Sequence, residues 1–240
     1  FHIQPLLRKY NLDKDGKAYN YVVTHEKFGF NIVKEDKVKT SGIVPYYLYQ
    51  NYPRPDKSYL NIPVEMYEVF DIRMDGDYLF FPIFDRFKRL VEVKIRSVNS
   101  KSFVYPNGKF YEDLERINGV GAKRSGVWYN IQIMPKEFVF LVEGERDVIM
   151  LKSAGFDAIA SMGATITKEQ ISALKIYTTK YILFFDNDDA GNKAKQHVVK
   201  ELKKTNKMFH ITDYKGCKDP AELVEKNLIK EAIKSLDIVI

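Results

Sequence analysis

Glu143, Asp186 and Asp188 are the residues whose types and spacing could do chemistry. Each lies at the end of a short apolar run. Phe138-Val-Phe-Leu-Val142 stops on Glu143-Gly144, and Tyr181-Ile-Leu-Phe-Phe185 stops on Asp186-Asn187-Asp188. Neither run has a helical period, so both read as buried strands with carboxylates at their C-terminal ends, where open α/β sheets place their sites. Asp186 and Asp188, two apart in extended backbone, would point to one side. Carboxylates packed that closely repel unless a cation neutralises them, and hard oxygen ligands select Mg²⁺ or Mn²⁺. Glu143 joins the group if its strand neighbours theirs, and Asp219, reached through Tyr214-Lys-Gly-Cys-Lys218, could approach the same edge. A charge that ends a buried strand is costly unless paired or metal-bound. Other acids have a plainer use. Asp189 reads best as a helix cap, whereas Glu145 and Asp147 stand open between first-turn acids and site residues; Asp219 before Pro220 could equally be an N-cap.

The elements that must position these residues follow from the pattern around them. From residue 137 strands and helices alternate: strand 138–143, helix 145–154 closing at Gly155, strand 157–160, helix 168–176, strand 180–186, helix 190–204, strand 207–212, and helices over 220–227 and 229–236. Thr167 with Gln170 three residues on makes a capping box, and Gly144 allows a sharp turn between strand and helix. Repeated β-α units of this length predict a parallel sheet with right-handed crossovers. Upstream, Pro63 opens a short helix, Val64 to Phe70. Tyr78–Phe84 and Leu90–Val98 form a hairpin in which Lys94 and Arg96 share a face. The fold class is therefore α/β. A parallel sheet flanked by helices occupies 137–240 with its C-terminal helices, and a smaller basic mixed α+β subdomain precedes it over 1–136, with 1–60 poorly defined.

The chain has 240 residues, 45% hydrophobic and 29% charged, ordinary values for a soluble globular protein. No apolar run approaches the roughly 20 residues needed to span a bilayer, and no secretory leader is visible. The one cysteine, Cys217, excludes an internal disulfide and a cysteine-rich zinc ribbon, and points to a reducing compartment. The chain opens on Phe1, so an upstream segment is expected. The formal charge of +6 lies wholly in residues 1–136, with its densest part between Arg86 and Arg124. A polyanion partner and a solvated basic surface explain it equally well. The glycine-rich basic loop Gly119–Gly126 is a weak phosphate signal, better read as a connection. Phe103, Tyr105, Phe110 and Tyr111 could stack bases, but core packing is their default reading.

With these motifs in place, residues 138–219 resemble a Toprim domain, the metal-binding α/β module of bacterial-type primases, topoisomerases and some nucleases. The strand-end Glu143-Gly144 and the Asp186-Asn187-Asp188 pair are its two motifs. Asp147 four residues after Glu143, the Ala160-Ser161-Met162-Gly163-Ala164-Thr165 loop, Asp189-Ala190-Gly191 and Lys218-Asp219-Pro220 resemble primase blocks. The Glu143-Gly144-Glu145 form is similar to phage and mitochondrial primase–helicase proteins. Upstream, Tyr78–Asp85 with Val93-Lys94-Ile95-Arg96 resembles the start of the primase basic subdomain, and Val127-Trp128-Tyr129-Asn130 the segment before the Toprim strand. The chain departs from the family at Ala164 (an insertion), at Ile95 (a glycine in the family) and at Ala221 (often an acid).

The resemblance implies a primase core, cytoplasmic in a bacterium or phage-infected host, that synthesises short RNA primers on single-stranded DNA from ribonucleoside triphosphates beside a replicative helicase. It implies that Glu143, Asp186 and Asp188 are catalytic, and that Mg²⁺ (or Mn²⁺) is held by Glu143, Asp147, Asp186, Asp188 and Asp219. Lys94, Arg96, Lys123 and Arg124 would contact nucleotide or template phosphates, and Glu143 could act as ligand or proton acceptor. The alternatives are a Toprim nuclease and a catalytically inactive DNA-binding or helicase-associated module.

Overall fold

The computed structural model describes residues 44–107, 110–114, 126–163 and 165–239, with the backbone of two short paired strands, β1 (Val22–Val23) and β2 (Ile32–Val33). Most of 1–43, Ala164 and the basic loop with Lys123 and Arg124 lie outside the described residues.

Helix α1 (Tyr46–Tyr49) stands in the stretch that the sequence pattern left unread. Tyr49 fixes it: the ring is fully buried, and its hydroxyl donates to the carbonyls of Asp71 and Phe80 at 2.6 and 3.2 Å. Helix α2 (Val64–Val69) follows, with Pro63 as its N-cap rather than its first residue. Next come β3 (Arg73–Asp75), β4 (Tyr78–Phe84), β5 (Leu90–Ser97) and β6 (Phe103–Val104), an antiparallel sheet in that order with β6 at one edge. The central hairpin falls where its strand formers predict. Both its faces are covered, however, so β5 is buried from Leu90 to Ile95, including Glu92 and Lys94. Leu79, Phe81 and Ile83 feed the large core that runs into the second half of the chain, whereas Phe80, Val93 and Ile95 form a smaller core with Val44 and Tyr49. Side-chain alternation then turns Lys94 and Arg96 away from the smaller core.

The second sheet contains β7 (Phe138–Val142), β8 (Ala158–Ala160), β9 (Lys180–Leu183), β10 (Met208–Ile211) and β11 (Leu236–Ile238). Its order is β11-β10-β9-β7-β8, parallel except for the antiparallel edge strand β11. Helices α3 (Glu145–Ser153), α4 (Lys168–Lys175), α5 (Asp189–Leu202), α6 (Pro220–Glu225) and α7 (Ile229–Ile233) complete the chain. Val139, Leu141 and Val142 of β7 are fully buried, as expected of a central strand with both faces covered. Thr167 and Gln170 form the predicted capping box on α4. Gln170 does more: its amide donates to the carbonyls of Val127 and Ser161, and its own carbonyl accepts from the buried Trp128 indole at 2.9 Å. That satisfies the polar atom of the largest buried side chain and ties 127–130 to the sheet, where Tyr129 bridges Ala160. The helix expected over 229–236 ends at Ile233, and Leu236–Ile238 instead pairs with β10 as the edge strand β11. Among the described residues no helix is long and apolar enough to cross a membrane.

Candidate metal centre

β7 and β9 are hydrogen-bonded neighbours, so Glu143 and the Asp186–Asp188 loop emerge side by side at the same end of the sheet. Phe184 continues the pairing, donating to the Leu141 carbonyl at 2.9 Å one residue past the strand. β7 ends with its apolar run at Val142 and β9 two residues before the end of its run, at Leu183, so all three acids stand on loops.

Those loops are held firmly. The Glu143 carbonyl accepts from Met162 N–H at 2.9 Å, the Phe185 carbonyl from the Tyr214 hydroxyl at 2.6 Å, and the Lys218 carbonyl from Asn187 N–H at 2.7 Å. Gly191 in the first turn of α5 lies so close to Asp186 that an added Cβ would meet its carbonyl oxygen at 2.0 Å. Only glycine fits there. Gly144 has a different use from the sharp turn expected of it. Its backbone is ordinary extended chain, φ −109°, but a Cβ would crowd Asp147 Oδ2 at 3.0 Å.

The carboxylates divide into working classes. Asp188, not Asp189, caps α5, accepting from Gly191 N–H at 2.8 Å through Oδ1. Asp189 is the first helical residue, its acid placed against the helix dipole. Asp219 caps α6 through Oδ1 and Glu222 N–H at 2.7 Å. Asp147 is buried, and its two oxygens accept from Gly144 N–H at 3.2 Å and Ala221 N–H at 3.1 Å. It therefore staples the Glu143 turn to α6. Asp186 is unlike these: its Oδ1 is buried with no hydrogen-bond partner.

The electrostatics show what the group lacks. Burial, then the charges of Glu143, Asp219 and Asp188, push the Asp186 carboxyl up to about 7, with Lys218 opposing. Burial and the neighbouring Asp186 and Asp219 push Asp147 up to about 8 against its two N–H donors. Glu143 is raised by burial and by Asp188, and Lys94 partly offsets this. Glu143, Asp147 and Asp186 are thus each raised by burial and by neighbouring acids, around one unpartnered buried oxygen. The donor set is all oxygen, which suits Mg²⁺ or Mn²⁺. As placed, no three His, Cys, Asp or Glu side chains among the described residues converge closely enough to grip one ion.

Three of these acids, Glu143, Asp147 and Asp219, line an open cleft of about 570 Å³ together with Arg96, Lys101 and Phe103; Asp186 and Asp188 lie outside its lining. Arg96 has a buried, unpartnered Nε. Its guanidinium is less basic than usual, chiefly through burial and next through Arg146, with Glu145 and Asp147 opposing. Lys94, expected as a phosphate contact, lines the same cleft. It is buried, and its Nζ lies 2.7 Å from Glu145 Oε1 at the start of α3. The pair spans 51 residues of sequence and joins β5 to the start of α3, an arrangement no local pattern signals. Lys101, Lys218 and Arg146 also line the cleft without having been singled out; of these, Arg146 is tied to Glu225 and the Leu60 carbonyl.

Residues 140–224 match the Toprim-like family model, and the two acidic motifs fall inside that match in the geometry just described. Residues 140–224 form a Toprim domain. Around this Toprim domain the chain is similar to bacterial DNA primases. It is 35% identical over 156 residues to the DNA primase of Campylobacter jejuni, covering 61% of this chain and 24% of that protein. It is 24% identical over 242 residues to the DNA primase of Clostridium acetobutylicum, covering 95% of this chain and 39% of that one. The chain thus spans well under half the length of these relatives. Two solved structures share the fold. The primase fragment of the bacteriophage T7 primase–helicase protein superposes with a TM-score of 0.60 at 19% identity, covering 83% of this chain and 81% of that one. A DnaG primase catalytic domain bound to single-stranded DNA gives 0.59 at 14% identity, covering 80% and 77%. The Toprim domain and the antiparallel sheet before it therefore occur together in primases.

Proposed function

We propose that this chain is the catalytic core of a DNA primase, joining ribonucleotides on a single-stranded DNA template by metal-dependent nucleotidyl transfer. The observation that carries the reading is the buried, unpartnered Asp186 oxygen crowded by Glu143, Asp188 and Asp219, two of which, Glu143 and Asp219, line the cleft that also holds Arg96 and Lys101. A cation site alone fits many enzymes; a cation site facing a basic wall fits a polyanionic substrate.

Glu143, Asp186 and Asp188 would hold Mg²⁺ or Mn²⁺, with Asp219 and Asp147 behind them. The ion would neutralise charge that develops on the transferring phosphoryl group, which needs positioning and electrostatics more than covalent chemistry. Glu143, its basicity raised by burial, is suited to take the proton from the attacking 3′-hydroxyl. Arg96 and Lys101 would grip triphosphate or template backbone, and Lys123 and Arg124 are assigned to the same polyanion. Lys94 we reassign from phosphate contact to a strut, because its charge is already answered by Glu145. The T7 neighbour is a fragment of a primase–helicase protein, which supports a replicative helicase as partner, and the cytoplasm is the place proposed with it.

Incubation of a single-stranded template with Mg²⁺ and labelled ribonucleoside triphosphates should give short labelled RNA that requires both template and metal. Template cleavage without ribonucleotides would transfer the site to a Toprim nuclease. Template binding without product, indifferent to metal, would mark an inactive module.

A further inference from the structure

Phe103 lies on the edge strand β6 and is 46% exposed, although two cations stand against its ring. Lys94 Nζ is 4.4 Å from the ring centroid, and the Arg96 guanidinium carbon is 5.4 Å from it. Both reach from β5, where Arg96 is the direct cross-strand partner of Phe103. Since β6 ends the sheet, no further strand among the described residues covers the ring from the other flank.

A single exposed phenylalanine is unremarkable on a protein surface. Two things separate this one from that background. It lines the cleft that holds the acidic and basic groups, where an apolar ring has no solvation benefit. It is also pre-oriented, because Lys94 is itself locked by the buried 2.7 Å contact with Glu145. The ring is thus fixed to the Toprim domain through one cation and to β5 through another. A rigid aromatic face beside Arg96 and Lys101 matches the two halves of a nucleotide: a base with a π-face and a phosphate one sugar away.

We propose that Phe103 is a base-stacking residue that receives one base of the single-stranded template at the mouth of the cleft. This rests on the primase reading and adds to it a stacking position that is independent of base identity. Lys94 and Glu145 are then positioning residues for that ring.

The test uses short single-stranded DNA carrying 2-aminopurine at successive positions, and the same strands with an abasic site. Wild-type protein should quench the fluorophore at one position, and an abasic site there should weaken binding. Phe103→Ala should relieve the quenching and weaken binding about tenfold, within the range for loss of one base–aromatic stack, at an unchanged Tm because the ring is half exposed. Phe103→Trp should restore both signals. Wild-type affinity and quenching in Phe103→Ala, or equal affinity for intact and abasic strands, would overturn the stacking role and leave the primase reading intact. Failure of the wild-type protein to bind single-stranded DNA would overturn both.

Discussion

Asp186→Asn and Glu143→Gln each reduce primer synthesis by at least about a hundredfold, the lower range for loss of a positioned acid–base group, and Asp186→Asn also makes the metal-free protein more stable. The first effect follows from removing a charge the cation requires. The second follows from the same burial and crowding that raise the Asp186 carboxyl to about 7. A carboxyl raised in the folded state favours folding while it is protonated, and that contribution disappears as pH rises through the folded value. At pH 8 the wild-type protein must therefore carry a repelled, partly buried charge that the asparagine lacks. The Tm advantage of Asp186→Asn should be greatest near pH 8 and shrink as the pH falls towards 4. Mg²⁺ should raise the wild-type Tm at pH 8 and leave the variant nearly unmoved. Thermal melts across that range check both signs. A variant that lost activity and stability together would show that Asp186 is a structural residue instead.

Gly191→Ala should be nearly as damaging to synthesis without altering any ionisable group. A methyl placed 2.0 Å from the Asp186 carbonyl oxygen, and 2.9 Å from its carbonyl carbon, must displace backbone rather than a flexible side-chain tip. Relief of such overpacking costs on the order of 1–3 kcal/mol, and a shift of about 1 Å at a reacting centre can cost roughly a hundredfold in rate. Because Asp188 caps α5 through the Gly191 N–H, the same movement disturbs a second acid. The expected result is a folded protein with a Tm lowered by several degrees, as a loss of about 1–3 kcal/mol implies, and primer synthesis down about a hundredfold. Full activity in Gly191→Ala would mean that the loop position of Asp186 is unimportant.

How much of this was legible in the sequence depends on the range over which each feature is decided. Apolar runs of period neither helical nor alternating placed β7 and β9, and the caps at Thr167 and Asp219 placed helix starts, because these are local matters of backbone bonding. The adjacency of Glu143 to the Asp186 loop stayed conditional on strand order, which is set by long-range pairing of β7 with β9. Local rules misled where two acids compete for one cap: Asp188 took the α5 cap expected of Asp189, which became helical. They were silent where a partner arrives from far along the chain. Lys94 was expected to share the Arg96 face and contact phosphates, with no local signal of the buried pair it makes with Glu145. Phe103 and Phe110 were read as core by default, yet both are exposed, since the strand carrying Phe103 is an edge. The restricted room at Gly191 is likewise set by a loop folding back, not by any local turn.

The central claim is that the ends of β7 and β9 together hold a divalent cation. Crystals soaked in Mn²⁺ and measured at the manganese absorption edge test it directly. Anomalous density between the Glu143 and Asp186 carboxylates, absent from Asp186→Asn crystals soaked alike, is the predicted result. Soaked wild-type crystals with no such density between these two strand ends, or with it equally strong in the variant, would contradict the account.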